Sequence, residues 1–181
     1  MSKKENYIAL LREARVEFKK WLNGIRLVVS GLEKDKNKIA LNPSESHFGE
    51  WLYSRALTYP VSNSKLVLTE IELLFEQCYE EYHNIYSLLL GSKENSLFSS
   101  LFGSKKASAS DYKIAGQYYD SLLQKSDKLL HKLHLFENQL SATNAQKFEM
   151  LDFTEPSQIQ ESKPKKVETQ KRYYRGSLIE D

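Results

Sequence analysis

Three stretches of this chain repeat apolar side chains at alternating steps of three and four residues, the spacing of helices that each bury one face. The most regular is Leu68, Ile71, Phe75, Cys78, Tyr82, Ile85 and Leu89, a seam suited to packing helix on helix at a shallow angle. An earlier one runs from Tyr7 to Leu32 through Ile8, Leu11, Phe18, Leu22, Ile25 and Val29, with Ala14 and Arg15 spanning its long gap. A later one extends from Asp111 to about Lys147 and carries Ile114, Tyr118, Leu122, Leu129, Leu133, Phe136 and Leu140. Asn42-Pro43-Ser44 ends one element and starts the next, HFGEWLYSRAL reads as a short helix that stops at Tyr59-Pro60, and Gly91 closes the following helix. Strand-like alternation is almost absent. The predicted fold is therefore all-α, an antiparallel four-helix bundle of three long helices and one short.

Beyond Phe148 the periodicity stops. Residues 1–148 are read as the bundle, with a Ser- and Lys-rich loop at 92–110, and residues 149–181 as a disordered basic and aromatic tail that cannot fold alone. Lys163 to Gly176 contain six Lys and Arg residues against one Glu, so the charge asymmetry is local. Over the whole chain, 26 Lys and Arg oppose 24 Asp and Glu, a net charge of +2 that argues against a nucleic-acid partner. No run reaches the roughly 20 apolar residues that span a bilayer. The start MSKKENYIALL lacks the apolar core and cleavage site of an export signal, and the single cysteine, Cys78, leaves no disulfide framework or thiolate cluster. A cytoplasmic protein without a transmembrane segment is the expectation.

Motifs for catalysis are missing from the sequence: there is no Gly-rich phosphate loop, no Gly-x-Ser-x-Gly and no His-Glu-x-x-His, so the chain is read as a non-enzyme. Two segments are read as partner-binding. In LFSSLF, a helical turn would set Leu97, Phe98, Leu101 and Phe102 on one side, fit for a partner groove or for capping the bundle's own end. In the tail, Arg172, Tyr173, Tyr174 and Arg175 combine cations with stackable rings, suited to docking as a linear peptide. His131 and His134 fall opposite or beside the buried face of the last helix and are read as solvated. Trp21 and Trp51 are read as packing residues, with Gly49 letting the short helix approach a neighbour closely.

Three strings stand out together: Glu17-Phe18-Lys19-Lys20-Trp21, His47-Phe48-Gly49-Glu50-Trp51-Leu52-Tyr53 and Tyr79-Glu80-Glu81-Tyr82-His83. Over residues 7 to 143 the set resembles the chemoreceptor zinc-binding (CZB) domain of bacterial signalling proteins. That family has a His-x-x-Trp pair on the first long helix, a Cys-x-Gly-x-Trp string on a short second helix and His-x-x-x-His on the third. The run from Ser126 to Leu133 adds support from the last helix. The resemblance implies a four-helix bundle in which three His and one Cys hold zinc, and it maps those ligands onto Phe18, His47, Tyr79 and His83.

Only His83 keeps its ligand identity. Phe18 cannot coordinate a metal, a phenol with a reference pKa near 10 is a poor zinc ligand at neutral pH, and structural zinc takes about four N or S donors. The resemblance thus implies a regulatory module of bacterial signalling, of the chemotaxis or cyclic-dinucleotide type, whose zinc site is lost and which carries no cofactor. Burial of the Phe18 ring, worth roughly 1.5–3 kcal/mol, takes over from coordination. Output then passes to a partner signalling protein, and the seam on the third helix permits a homodimer. Two alternatives stay open: a zinc sensor rebuilt on His47 and His83 with Cys78, and a scaffold or adaptor that displays its tail. Against the first, positions 78 and 83 point about 140° apart on a helix. Cys78 on the apolar seam behaves as a small hydrophobe.

Overall fold

The computed structural model describes residues 2–35, 37–60, 62–91 and 107–151, together with the backbone of Tyr173–Tyr174 and Ser177–Leu178. Between residues 2 and 151 the described secondary structure is helical: α1 (Lys3–Val29), a 3-10 turn (Pro43–Glu45), α2 (His47–Trp51) running into a π turn (Leu52–Ala56), α3 (Ser62–Leu89), α4 (Ala109–Ala142) and α5 (Ala145–Glu149). Tyr173–Tyr174 and Ser177–Leu178 form a small antiparallel pair within the tail, Tyr173 opposite Leu178 and Tyr174 opposite Ser177. The LFSSLF segment, with Leu97, Phe98, Leu101 and Phe102, lies outside the described residues, as do Arg172 and Arg175.

Each long helix starts where local chemistry satisfies its free N–H groups. Ser2 caps α1 reciprocally with Glu5: the Ser2 hydroxyl accepts from the Glu5 N–H, and the Glu5 carboxylate accepts from the Ser2 N–H at 2.8 Å. Ser108 and Asp111 do the same for α4. The apolar periodicity marks the start of α1 at Tyr7, four residues late, because a capping box is polar and carries no periodic signal. At its other end α1 turns off at Gly31, whose φ of 74° is the left-handed conformation that glycine adopts without steric cost. Leu32 follows that turn and is 78% exposed, so Val28 rather than Leu32 completes the buried stripe.

The last long helix also differs from the sequence expectation. α4 ends at Ala142 instead of continuing to Lys147, since Thr143 is extended and Asn144 caps a new helix by accepting from the N–H groups of Gln146 and Lys147. The break turns α5 so that Phe148 is fully buried against Tyr7 and Tyr59. At the start of α4, Ala115 is buried and Ile114 is 39% exposed, one position away from the expected stripe.

Side-chain pairs fix the running sense of the helices. The Lys4 ammonium donates to the carbonyls of Ser141 and Thr143, and Glu137 accepts from Arg12 Nε (2.6 Å) and Arg15 Nη1 (2.9 Å), so α1 and α4 run in opposite directions. Ser64 pairs with Gln139, Glu70 with Lys132, Cys78 with Ser126, and Glu81 with Ser121 and Lys125, a ladder that sets α3 antiparallel to α4 as well. Phe18 meets Phe75 and Trp21 meets Tyr79, so α1 and α3 run the same way. The strap from Glu33 to Ser46, with α2 and its π turn, returns the chain between them. Within that path the Tyr7 hydroxyl donates to the Arg55 carbonyl at 3.0 Å, tying the π turn to α1. No helix among the described residues is long and apolar enough to cross a membrane.

Among the described residues Glu137 is the one acidic residue drawn into the core, at 8% exposure. Burial alone would raise its pKa, but the hydrogen bond from Arg12 and the charges of Arg15 and Arg12 hold it below the ordinary 4.5. A group whose pKa is lowered on folding adds stability above its unfolded pKa and loses it as pH falls through the folded value. Stability is therefore expected to fall as pH drops below about 4.5, and Glu137→Gln should flatten that slope in urea melts recorded between neutral and acid pH. At neutral pH the same variant should cost about 1–3 kcal/mol, because two guanidinium groups, one well exposed, lose their shared carboxylate.

Candidate functional site

The periodic faces of α1 and α3 each bring an i, i+3 aromatic pair inward, Phe18 with Trp21 and Tyr79 with Tyr82. Across the helices these rings interleave. Trp21 lies in near-parallel contact with Phe18 (centroids 5.6 Å apart, 22° between planes) and with Tyr79 (4.8 Å, 22°), while Tyr82 meets it edge-on at 5.6 Å. Phe48 from α2 closes the cluster against Phe18 (5.1 Å) and Phe75 (4.8 Å), and Trp51 packs on Phe48 at 5.5 Å. Phe18, with no exposed surface, is its centre. Such offset and edge-on pairs add about 0.5–1.5 kcal/mol each beyond the area they bury.

Two of the four positions that the resemblance assigns to metal ligands contact Trp21. Phe18 and Tyr79 touch its ring, His83 lies edge-on to Tyr79 at 6.1 Å, and His47 lines the same groove as Trp21. Both histidines are exposed. His83 Nε2 stands 2.7 Å from the Leu41 carbonyl, which can only accept, so this nitrogen donates its hydrogen. Cys78 belongs to the opposite side of α3, where its thiol meets the Ser126 hydroxyl at 3.7 Å. Burial, against smaller contributions from Ser126 and Lys125, pushes that thiol up to about 11, so it stays protonated and unreactive at neutral pH. Among the described residues no group of three or more His, Cys, Asp or Glu side chains is placed to hold a metal ion. His131 and His134 are exposed, with the Asn138 amide 3.3 Å from His134 Nε2.

A loop and a glycine hold α2 against this cluster. Asn42 caps the 3-10 turn, and Ser46 then caps α2, its oxygen accepting from the Gly49 N–H at 3.0 Å while its hydroxyl donates to the Pro43 carbonyl at 2.7 Å. Gly49 has no room for a side chain: a Cβ there would stand 1.9 Å from the Pro43 oxygen. The strap leading in is pinned at Ile39, whose Cδ1 would stand 3.2 Å from a Cβ on Gly24. Tyr82 donates to the Ile39 carbonyl at 3.2 Å.

Three polar atoms in the cluster are buried without a hydrogen-bond partner: Trp21 Nε1, Trp51 Nε1 and the Tyr79 hydroxyl. Burial pushes the Tyr79 phenol up to about 12. Ser46 and Trp21 are close enough to oppose that rise, although neither completes a bond of good geometry with the phenol. Leaving such a group unpaired costs about 1–3 kcal/mol. The sequence identifies the rings but not these orphans, which exist only because rings from separate helices meet.

In comparison with known proteins, no family model, no curated protein and no solved structure matches this chain.

Two substitutions read the site directly. Tyr79→Phe removes an unpaired hydroxyl and keeps the ring stack, so the free protein should lose no stability and gain up to about 1 kcal/mol in urea unfolding. Gly49→Ala should lower stability by about 2 kcal/mol or more in the same measurement, since backbone, not a flexible side chain, occupies the space.

Proposed function

We propose that the protein is a non-catalytic regulatory module of bacterial signalling, built like a chemoreceptor zinc-binding domain in which packed aromatic rings have replaced the metal. In this reading the helices form an antiparallel four-helix bundle, with α2 and its π turn as the short second helix. The observation that carries the proposal is the packing of two ligand-equivalent positions, Phe18 and Tyr79, against Trp21, with His83 edge-on to Tyr79. Aromatic packing at two of the four positions, with the histidines at the other two exposed, is what a lost metal site would leave.

A module without a reaction of its own acts through contacts. The candidate contact segments are LFSSLF and the tail around Arg172 to Arg175, and the recipient is a cytoplasmic signalling protein or a second copy of this chain. The buried thiol of Cys78 fits a reducing compartment.

Restoring the ligands tests the proposal. The untagged full chain should carry well under one zinc per molecule by native mass spectrometry, whereas the combined variant Phe18→His, His47→Cys, Tyr79→His, with His83 in place, should hold close to one. A folded variant that takes up no zinc would show that the four positions do not share a site and would remove the family reading. Stoichiometric zinc in the natural chain, lost in His83→Ala, would replace it with a metal sensor rebuilt on histidine.

A further inference from the structure

Opposite its buried side, α3 carries an outward stripe with the same spacing. Leu66, Thr69, Leu73, Glu76 and Glu80 follow one another at steps of three and four, and all are exposed, Leu66 at 71% and Leu73 at 54%. Glu72 flanks the stripe, and burial together with the Glu76 charge raises its pKa. Both carboxylates stand near the half-buried Tyr53 phenol. Along its length α3 holds five Glu against a single Lys or Arg, Lys65. Glu70 and Glu81, on the flank towards α4, are paired with Lys132 and Lys125. Among the described residues Glu72, Glu76 and Glu80 form no ion pair.

The chain supplies the missing charge itself. Lys163 to Gly176 hold six Lys and Arg residues against one Glu, while the whole chain is only +2, so the rest of it is acidic. Geometry allows the two to meet. The Leu151 carbonyl accepts from the Lys3 ammonium at 2.8 Å, and Leu151 lines one hollow with Ser64, so the chain leaves the bundle at the end where α3 begins. From that end Glu72 to Glu80 stand roughly 15–27 Å along the helix. Twelve residues lead from Leu151 to Lys163, and a coil of that length spans about 20 Å on average and about 40 Å at full stretch. Exposed ion pairs are individually weak, but so short a tether keeps its cations at an effective concentration on the order of millimolar.

We propose that the outer face of α3 is a docking site for the chain's own basic segment, Lys163 to Arg175, with cations on Glu72, Glu76 and Glu80 and with Tyr173 and Tyr174 on the exposed leucines. A second copy of this face is the poorer occupant, because it would add its own unpaired carboxylates to the three already there. Docked in this way, the segment is withheld from any other acidic surface until that surface competes it away. The contact needs neither a lost metal site nor an outside partner, so it does not rest on the regulatory reading.

A nitroxide on Thr169→Cys reads the contact in the full chain, since the buried, protonated Cys78 escapes labelling. Amide NMR signals from Leu66 to Glu80 should broaden more than those on the outward faces of α1 and α4. The excess should be lost in about 1 M salt, where charges are screened beyond about 3 Å. It should also be lost when Glu72→Gln, Glu76→Gln and Glu80→Gln are combined, without a lower melting temperature, because that change removes the repulsion between Glu72 and Glu76. Combining Lys165→Glu, Lys166→Glu, Lys171→Glu and Arg172→Glu should abolish it too, and this variant alters no residue of the helices. The proposal falls if α3 is broadened no more than α1 or α4, or if the excess survives the tail variant. It falls equally if broadening arises only between copies, when spin-labelled chain is mixed with nitrogen-15 chain that lacks the nitroxide. A chain that takes up zinc once its ligands are restored, yet shows no preferred contact on α3, would fail here and leave the regulatory proposal standing.

Discussion

The Trp21 indole stacks on Phe18 of its own helix and on Tyr79 of α3, and with Phe18–Phe75 and Trp21–Tyr82 this stack bridges two helices that run the same way. Parallel neighbours in a helical fold need a return path, and here the path is the strap, α2 and the π turn. The strap and α2 are anchored to the stack or to its edge, while the π turn is tied to Tyr7. Phe48 packs on Phe18, Ser46 comes up to the Tyr79 phenol, Ile39 seats on Gly24 one turn beyond Trp21, and Tyr82 and His83 hold the strap's carbonyls. Loss of the central Phe18 ring would open a cavity worth about 3–5 kcal/mol and uncouple the path as well as the helices.

On the other side of the molecule, polar contacts do a different job. α4 meets both α1 and α3 through a ladder of ion pairs and hydrogen bonds spaced along its length, from Lys4 and Arg12 on one helix to Ser64, Glu70 and Glu81 on the other. Exposed pairs of this kind contribute little energy each. Their value is register, because a slip of one turn would leave Glu137 buried without its arginines and Ser64 without Gln139.

Much of the fold was legible in the sequence because a helix that buries one face must repeat its apolar residues every three to four positions. Leu68 to Ile85 on α3 follow that spacing and are buried. Less legible were the ends. Ser2 and Ser108 start helices by hydrogen bonding, and Asn144 splits the last one, none of which leaves an apolar trace. Ile114, one position off the buried stripe, and Leu32, beyond the end of α1, both lie near helix ends, where the stripe drifts or the helix has already stopped. Of the candidate site, the residues Phe18, Tyr79, His47 and His83 could be named from the three strings, but the stacking of Trp21 on Phe18 and Tyr79 could not.

The sequence by itself determined the helical character, the placement of three long amphipathic segments and one short one, and the inward faces of α1 and α3, since these depend on the 3.6-residue period and on local capping. Tertiary structure alone decided which rings meet, how closely Pro43 crowds Gly49, and that Trp21 Nε1 and the Tyr79 hydroxyl are buried without a hydrogen bond of good geometry. Those outcomes are set by distances between atoms far apart in the chain. Helix periodicity fixes the direction of a side chain about its own axis, and it carries no information about what the neighbouring helix places opposite.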